Sequence, residues 1–317
     1  MQPSSPDMPR DHGGNLDAAM ARFGGRSGDW LDLSTGINPV PYPVKGLTDT
    51  DWTRLPDASA QDALLEAARR FWQVPEGAAI LAAPGASALI ARLPLLRPAA
   101  RVQITMPTYN EHAAAFAAAG WEVTDTGPTE ARVMVHPNNP DGHLFSVADI
   151  TGDLTVIDES FCDICPDRSL IAQATRPGMV ILKSFGKFWG LAGLRLGFAI
   201  GDPEAIAALA QMLGPWPVSG PALRIGTRAL VDLTWADATR ARLSEDRAWL
   251  DRVMTRMGAQ PVGGTDLFGL YAVEDAAAMQ ERLARGHIWT RIFPYSKTLI
   301  RLGLPAPDKR AQLETAI

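Results

Sequence analysis

The sequence predicts an α/β protein with a large lobe built on a mostly parallel sheet and a smaller α+β lobe. Three observations carry that reading. Short apolar runs recur through the first two thirds of the chain, segments of helical apolar spacing fall between them, and beyond residue 257 the pattern changes to two strands around one helix. Apolar runs without strict alternation suit strands covered on both faces. Their alternation with helices marks the crossover connections of a parallel sheet.

Taken in order, residues 1–60 are rich in Pro, Gly and Asp and read as loop and short pieces. Residues 62–72 (DALLEAARRFW) space their apolar side chains as a helix does. Strands are expected at 78–83, 101–105, 131–135, 154–158, 179–184 and 195–200, with helices at 87–96, 111–119 and 204–213. The stretch 236–257 is long and highly charged, so its helix is expected partly on the surface, bridging to the second lobe. Strands at 267–273 and 298–302, with a helix at 276–285 between them, complete the small lobe. No internal repeat or low-complexity linker interrupts the pattern.

The chain has 317 residues, 46% apolar and 21% charged, which is ample for a large buried core. Its net charge of -5 offers no basic excess to meet a phosphate backbone, which argues against nucleic acid as a partner. The opening MQPSSPDMPRDHGGN lacks the apolar centre of a signal peptide, and no stretch is long and apolar enough to span a bilayer. The expected compartment is the cytoplasm, with no membrane partner. Cys162 and Cys165 are spaced C-x-x-C, but the pair trails a strand and runs into Pro166, where a redox pair would open a helix. His12, His112, His136, His143 and His287 are too scattered to complete a zinc site, and no metal is expected.

The chemistry gathers at the ends of the predicted strands, where open α/β sheets bind ligands. The run MVILKS leads into Ser184-Phe-Gly-Lys187-Phe-Trp-Gly-Leu-Ala-Gly-Leu-Arg195. A lysine that forms a Schiff base must lose its proton near neutral pH, and apolar neighbours with a nearby cation push it that way. Lys187 has Phe185, Phe188 and Trp189 beside it and Arg195 eight residues on. Ser184 and Arg195 offer a hydroxyl and a guanidinium fork to a phosphate. A plain Gly-rich turn with a surface lysine leaves this spacing unexplained. A Walker A loop fails because Phe188 follows Gly-Lys, and a dinucleotide fingerprint fails for want of G-x-G-x-x-G. Lys183 is the rival lysine, but it falls inside the strand and lacks the flanking Ser and Arg.

Other strand ends supply the remaining parts. Asp158 closes LTVID, and a buried acid there needs a cation such as a protonated pyridine nitrogen. Taken alone, it reads equally well as a cap for the next segment. Asn139, in His136-Pro-Asn-Asn-Pro, lies in an ordinary turn signal but carries an amide suited to a ring hydroxyl. Gly85, Ala86 and Ser87 open a helix, where free N–H groups suit a phosphate. Tyr109 follows RVQIT with a ring that can stack on a pyridine or fill a half-buried core. Together these point to pyridoxal 5'-phosphate (PLP) carried on Lys187.

The order of these motifs resembles the fold type I, aspartate aminotransferase-like PLP enzymes over nearly the whole chain. Within them it is similar to the group containing histidinol-phosphate aminotransferase, and more closely to the L-threonine-O-3-phosphate decarboxylases of cobalamin biosynthesis. His12-Gly13-Gly-Asn, Asp32-Leu-Ser-Thr-Gly-Ile-Asn38-Pro and Phe161, which stands where aminotransferases commonly carry Tyr, bear that likeness. The resemblance implies a large PLP-binding domain over 36–225 and a small domain from 1–35 and 226–317. It implies Lys187 as the catalytic Schiff-base lysine, Asp158 on the ring nitrogen and Asn139 on the ring hydroxyl. Ser184, Arg195 and the Gly85–Ser87 backbone then hold the cofactor phosphate, with Tyr109 at the ring.

For the substrate, the resemblance implies Arg301 at the carboxylate and Arg291 at a phosphate. His12, Gly13, Asn38 and Asn139 are expected nearby. The implied reaction is decarboxylation of L-threonine O-3-phosphate, a small phosphorylated amino acid. An aminotransferase of the histidinol-phosphate type shares every cofactor residue, and a catalytically silent binding protein of the same fold is the reading of another class. A homodimer is implied, although Leu55-Pro-Asp stands where relatives often place a Tyr that reaches the neighbouring subunit.

Overall fold

A computed structural model describes residues 12–316. Residues 1–11, part of the segment read above for a signal peptide, lie outside them. The strands are β1 (Leu31–Asp32), β2 (Ala79–Ala83), β3 (Arg101–Ile104), β4 (Glu122–Thr124), β5 (Ala131–Val135), β6 (Leu154–Asp158), β7 (Met179–Ser184), β8 (Gly197–Gly201), β9 (Gln260–Thr265), β10 (Phe268–Ala272), β11 (Ile288–Trp289), β12 (Arg291–Phe293) and β13 (Ser296–Gly303). Strands β2 to β8 form one seven-stranded sheet in the order β2-β8-β7-β6-β5-β3-β4. Within it β4, β3, β5, β6 and β7 run parallel, and β8 is antiparallel to both of its neighbours.

The helices are α1 (Leu16–Phe23), α2 (Asp49–Thr53), α3 (Ala58–Phe71), α4 (Ala86–Ile90), α5 (Asn110–Ala118), α6 (Pro203–Leu213), α7 (Gly220–Val231), α8 (Leu233–Arg256), α9 (Ala276–Arg285) and α10 (Arg310–Glu314). They cover both faces of the large sheet, and the pleat explains how. Met179 and Ile181 of β7 pack with Leu64 of α3 and Ile225 of α7, while the alternate residues Val180 and Leu182 pack with Phe116 of α5 and Leu209 of α6. Both faces of the strand are therefore dry, as its unbroken apolar run requires. Each fully buried Val, Ile or Leu is worth about 1.5–3 kcal/mol relative to exposure.

A four-stranded antiparallel sheet in the order β12-β13-β10-β9 forms the second layer system, with α8 against β9 and β10 and α9 against β12 and β13. Strand β1 pairs in parallel with β11, so a segment preceding the large sheet is sewn into the C-terminal part of the chain. Among the described residues no helix is long and apolar enough to cross a membrane.

The differences from the sequence reading have physical causes. The helix expected over 87–96 ends at Ile90 and resumes as a 3-10 turn at Leu93–Leu96, because Pro94 cannot donate to a continuing helix. Helix α7, for which nothing is predicted above, opens with Gly220-Pro221, a pair that reads as a turn. Pro is tolerated at a helix start, and the Ser219 hydroxyl accepts from the Ala222 N–H to cap it. Strands β4, β11 and β12 are two or three residues long and leave no periodicity to detect.

Candidate active site

The sheet register builds one end of the site. Ala83 of β2 lies beside Gly197 of β8, which lies beside Ser184 of β7. Gly85, two residues past β2, takes φ +87°, and a Cβ there would come within 2.6 Å of the Arg195 guanidinium. A Cβ on Gly197 would come within 2.5 Å of the Ala86 amide nitrogen. These glycines let Arg195, the Gly85–Ser87 backbone and Ser184 converge. Arg195 and Ser87 are exposed, and the Ser184 hydroxyl accepts from the Gly186 N–H at 3.2 Å.

The parallel strand ends supply the next layer. Val135, Asp158 and Leu182 stand in register at the carboxyl ends of β5, β6 and β7. Asp158 is 2% exposed. Its Oδ1 accepts from the Ser160 N–H at 3.0 Å and hydroxyl at 2.5 Å, and its Oδ2 lies 2.8 Å from His112 Nε2. Burial alone would raise the carboxyl, but His112 and Ser160 outweigh it and hold the group below the usual carboxylate range. Asp158 therefore caps Ser160, as one reading of the sequence has it, and is a buried anion stabilised by His112 and Ser160. His112 was missed, because a lone histidine on a helix says nothing of a carboxylate reached across the fold.

Lys187 sits between these parts and a cavity of about 340 Å³. Its amine is pushed down to about 8, first by burial and then by Arg301 and Arg195, with Asp158 pulling the other way. Its Nζ lies 5.2 Å from the centre of the Phe161 ring. The cavity is also lined by His12, Tyr109, Asn139, Arg291 and Arg301. Lys183, inside β7, has other neighbours: Glu159 lies at 2.6 Å and Asp163 at 3.8 Å, and it is held protonated there.

Arg291 and Arg301 are cross-strand partners on β12 and β13. Arg301 is 5% exposed; it donates to the Ser34 carbonyl at 2.6 Å and to Asn139 Oδ1, and its Nε has no hydrogen-bond partner. Its guanidinium is lowered to about 10 by burial and by Arg291. His12 pairs with Glu111 at 3.0 Å, and Gly13 and Gly14 hold the segment against Ser34, where a Cβ on Gly13 would meet the Ser34 carbonyl oxygen.

One expected substrate residue is elsewhere. Asn38 does not line the cavity; it is 2% exposed, and both ends of its amide bond within the protein, to Phe188, Val40 and Arg242. The reason is visible in the chain: Asn38 precedes Pro39 in a segment that packs on the turn carrying Lys187, and its side chain satisfies that turn. The C-x-x-C pair is two free thiols. Cys162, His136 and Glu159 lie close enough to suggest a metal cluster, but His136 already uses both ring nitrogens, on the Arg168 carbonyl and the Phe145 N–H. Glu159 is likewise committed to Lys183, Ser169 and Leu170.

The family model for aminotransferase class I and II matches residues 124–317. A threonine-phosphate decarboxylase from Sinorhizobium sp is 42% identical over 315 residues, covering 94% of this chain and 93% of that protein. One from Pseudomonas aeruginosa is 39% identical over 97% of both chains. Among solved structures, a histidinol-phosphate aminotransferase from Sinorhizobium meliloti in complex with pyridoxal-5'-phosphate superimposes with a TM-score of 0.82 at 17% identity, covering 95% of this chain and 92% of that one.

Proposed function

Because the chain belongs to the aminotransferase class I and II family, we propose that it decarboxylates L-threonine O-3-phosphate to (R)-1-aminopropan-2-yl phosphate and CO2, in cobalamin biosynthesis, with PLP as its cofactor. The observation that carries the reading is the pair Arg291 and Arg301, side by side on adjacent strands in the cavity that holds Lys187. Like charges placed opposite one another cost energy in a sheet. The pair suits a small substrate with two anionic groups, a carboxylate and a phosphate.

The residues fit PLP. Ser184, Arg195 and the Gly85–Ser87 backbone form a cradle that exists only because Gly85 and Gly197 lack a Cβ. Lys187 has a depressed amine, and Asp158 is a buried anion suited to a protonated ring nitrogen. When bound, PLP supplies an electron sink for the pair released as the bond from the α-carbon to the carboxylate breaks. The protein's own part is to orient and to move protons. Arg301 holds the substrate carboxylate, and Arg291 with His12 holds its phosphate. Asn139, tethered to Arg301, faces the same cavity. Lys187 Nζ, which ionises near neutral pH, delivers a proton to the α-carbon. Phe161 packs edge-on against Phe268 beside Lys187 and brings no hydroxyl to the site.

The test is product analysis. With threonine phosphate the holoenzyme is expected to release CO2 in proportion to substrate consumed, without 2-oxoglutarate. Keto acid and glutamate in place of CO2 would instead make it an aminotransferase. The working unit proposed is a cytoplasmic homodimer. Exposed Trp52 and Leu55, 68% and 65% accessible, sit on the segment around a second groove lined by Leu55, Pro56 and Arg224, and such apolar surface fits a subunit contact. Light scattering is expected to give twice the monomer mass; a monomer at micromolar concentration would remove this part of the proposal.

A further inference from the structure

The turn that carries Lys187 is held from behind. The Asn38 N–H donates to the Lys187 carbonyl at 3.0 Å, and Asn38 Nδ2 donates to the Phe188 carbonyl at 2.8 Å. The Tyr42 N–H donates to the Trp189 carbonyl at 2.9 Å, so three successive carbonyls of the turn are bound by one segment. The approach is close enough that a Cβ on Gly190 would come within 2.7 Å of Pro41 and 2.8 Å of the Asn38 carbonyl oxygen.

The Asn38 amide is in turn oriented from the other side. Its Oδ1 accepts from the Val40 N–H at 3.0 Å and from Arg242 of α8 at 2.7 Å. Two donors aimed at one atom require that atom to be the oxygen, which leaves Nδ2 facing Phe188. Arg242 is fixed by Asp246, one turn on, at 2.7 Å. Asp246 is 3% exposed and also accepts from Arg310 of α10. A continuous hydrogen-bonded chain, with Asp246 and Asn38 buried and the two arginines partly so, thus runs from α10 to the main chain of the lysine turn.

We infer that Asn38 and Arg242 are positioning residues for Lys187, fixing the turn from which its amine reaches the cavity and linking that turn to α8 and α10. Neither residue lines the cavity. The inference uses the reading of Lys187 as the cofactor lysine and is independent of which substrate is decarboxylated. Its physical content is that a lysine amine tuned by burial and by three charged neighbours is sensitive to displacement of its backbone. A shift of about 1 Å in a positioned group can cost on the order of 100-fold in rate.

The experiment is a pH titration of the visible absorbance band of the purified holoenzyme, in Arg242→Lys, Asn38→Ala and the double variant. Arg242→Lys keeps a positive charge beside Asp246 but loses the fork that spans Asp246 and Asn38. Each single variant is expected to shift the titration midpoint by about half a pH unit or more, roughly 0.7 kcal/mol of altered interaction. The double variant should shift no further than the larger single, because the two residues act through one another. With threonine phosphate, kcat should fall about tenfold while KM stays within about threefold, the pattern of a residue that acts on the chemistry and not on binding. A folded Arg242→Lys protein whose band titrates as in the wild type would overturn the inference, and so would additive shifts. The spectral readout needs no substrate. A failure of the decarboxylase reading would leave the midpoint shifts in place, whereas unchanged midpoints with intact CO2 release would sink this proposal alone. If Asn38→Ala does not fold, Arg242→Lys decides the matter.

Discussion

Lys187→Ala is expected to abolish turnover and remove the visible absorbance of bound PLP, while Lys183→Ala keeps both. The two lysines lie four residues apart, yet Lys183 lies inside β7 and Lys187 in the turn beyond it, and their surroundings differ. Lys187 looks into the cavity among Arg301, Arg195 and Asp158; Lys183 is sealed against Glu159, Asp163 and the Trp72 ring. The Lys183 variant should instead lose stability, by about 3–5 kcal/mol, because two buried carboxylates lose their cation. Denaturant melts with absorbance read in parallel separate the two effects. The amine of Lys187, at about 8, also sets a pH dependence. Below that value the protonated amine is no nucleophile, so the rate at which apoenzyme takes up PLP should rise about tenfold per pH unit up to pH 8 and then level off. A rate still climbing at pH 10 would mean that the surroundings do not act on this amine.

Asp158→Asn is expected to lower kcat by about 10²–10³-fold, the range seen when one preorganised electrostatic partner is removed. The asparagine still accepts from Ser160, so the local turn survives, and PLP binding through Lys187, Ser184 and Arg195 is retained. What is lost is the buried negative charge that a protonated ring nitrogen needs. The observation to make is a coloured, folded protein that turns over slowly. A variant with near wild-type kcat would remove Asp158 from the proposed chemistry. His112 holds Asp158 from beneath at 2.8 Å, so His112→Leu should move kcat in the same direction by a smaller amount.

Much of this was legible in the chain because the strands are short and the chemistry sits at their ends. Once β5, β6 and β7 are recognised as buried apolar runs, Asp158 and the Ser184–Lys187 turn must emerge on one edge of the sheet. The close approaches at Gly85 and Gly197 were not read, because the letter Gly does not say which neighbour it admits. What could not be read is contact across distance in the sequence. Nothing in the letters around Asn38 says that its amide is consumed by Phe188 and Arg242, and a residue expected at the substrate is found bonded to the lysine turn. His112 beneath Asp158 and Glu111 beside His12 belong to the same class. The opening of α7 hid behind Gly-Pro, and β8 gave no sign of its antiparallel direction, because a strand buried on both faces has the same composition whichever way it runs.

The parallel pairing of β1 with β11 bears on how the protein comes into being. Leu33 donates to the Trp289 carbonyl at 2.7 Å and accepts from Gly303 at 2.7 Å, so the β1 segment before Ser34 and Thr35 is fastened to strands near the other end of the chain. During synthesis the large sheet can assemble while these early residues wait for their partners. The wall they contribute to the cavity closes last, after β13 has been made. Such long-range pairing is the slow part of folding, because loop closure must be achieved before the contacts reward it. A nascent chain that already displays the Lys187 turn therefore lacks the wall that His12 and Thr35 give the cavity until its two ends have met.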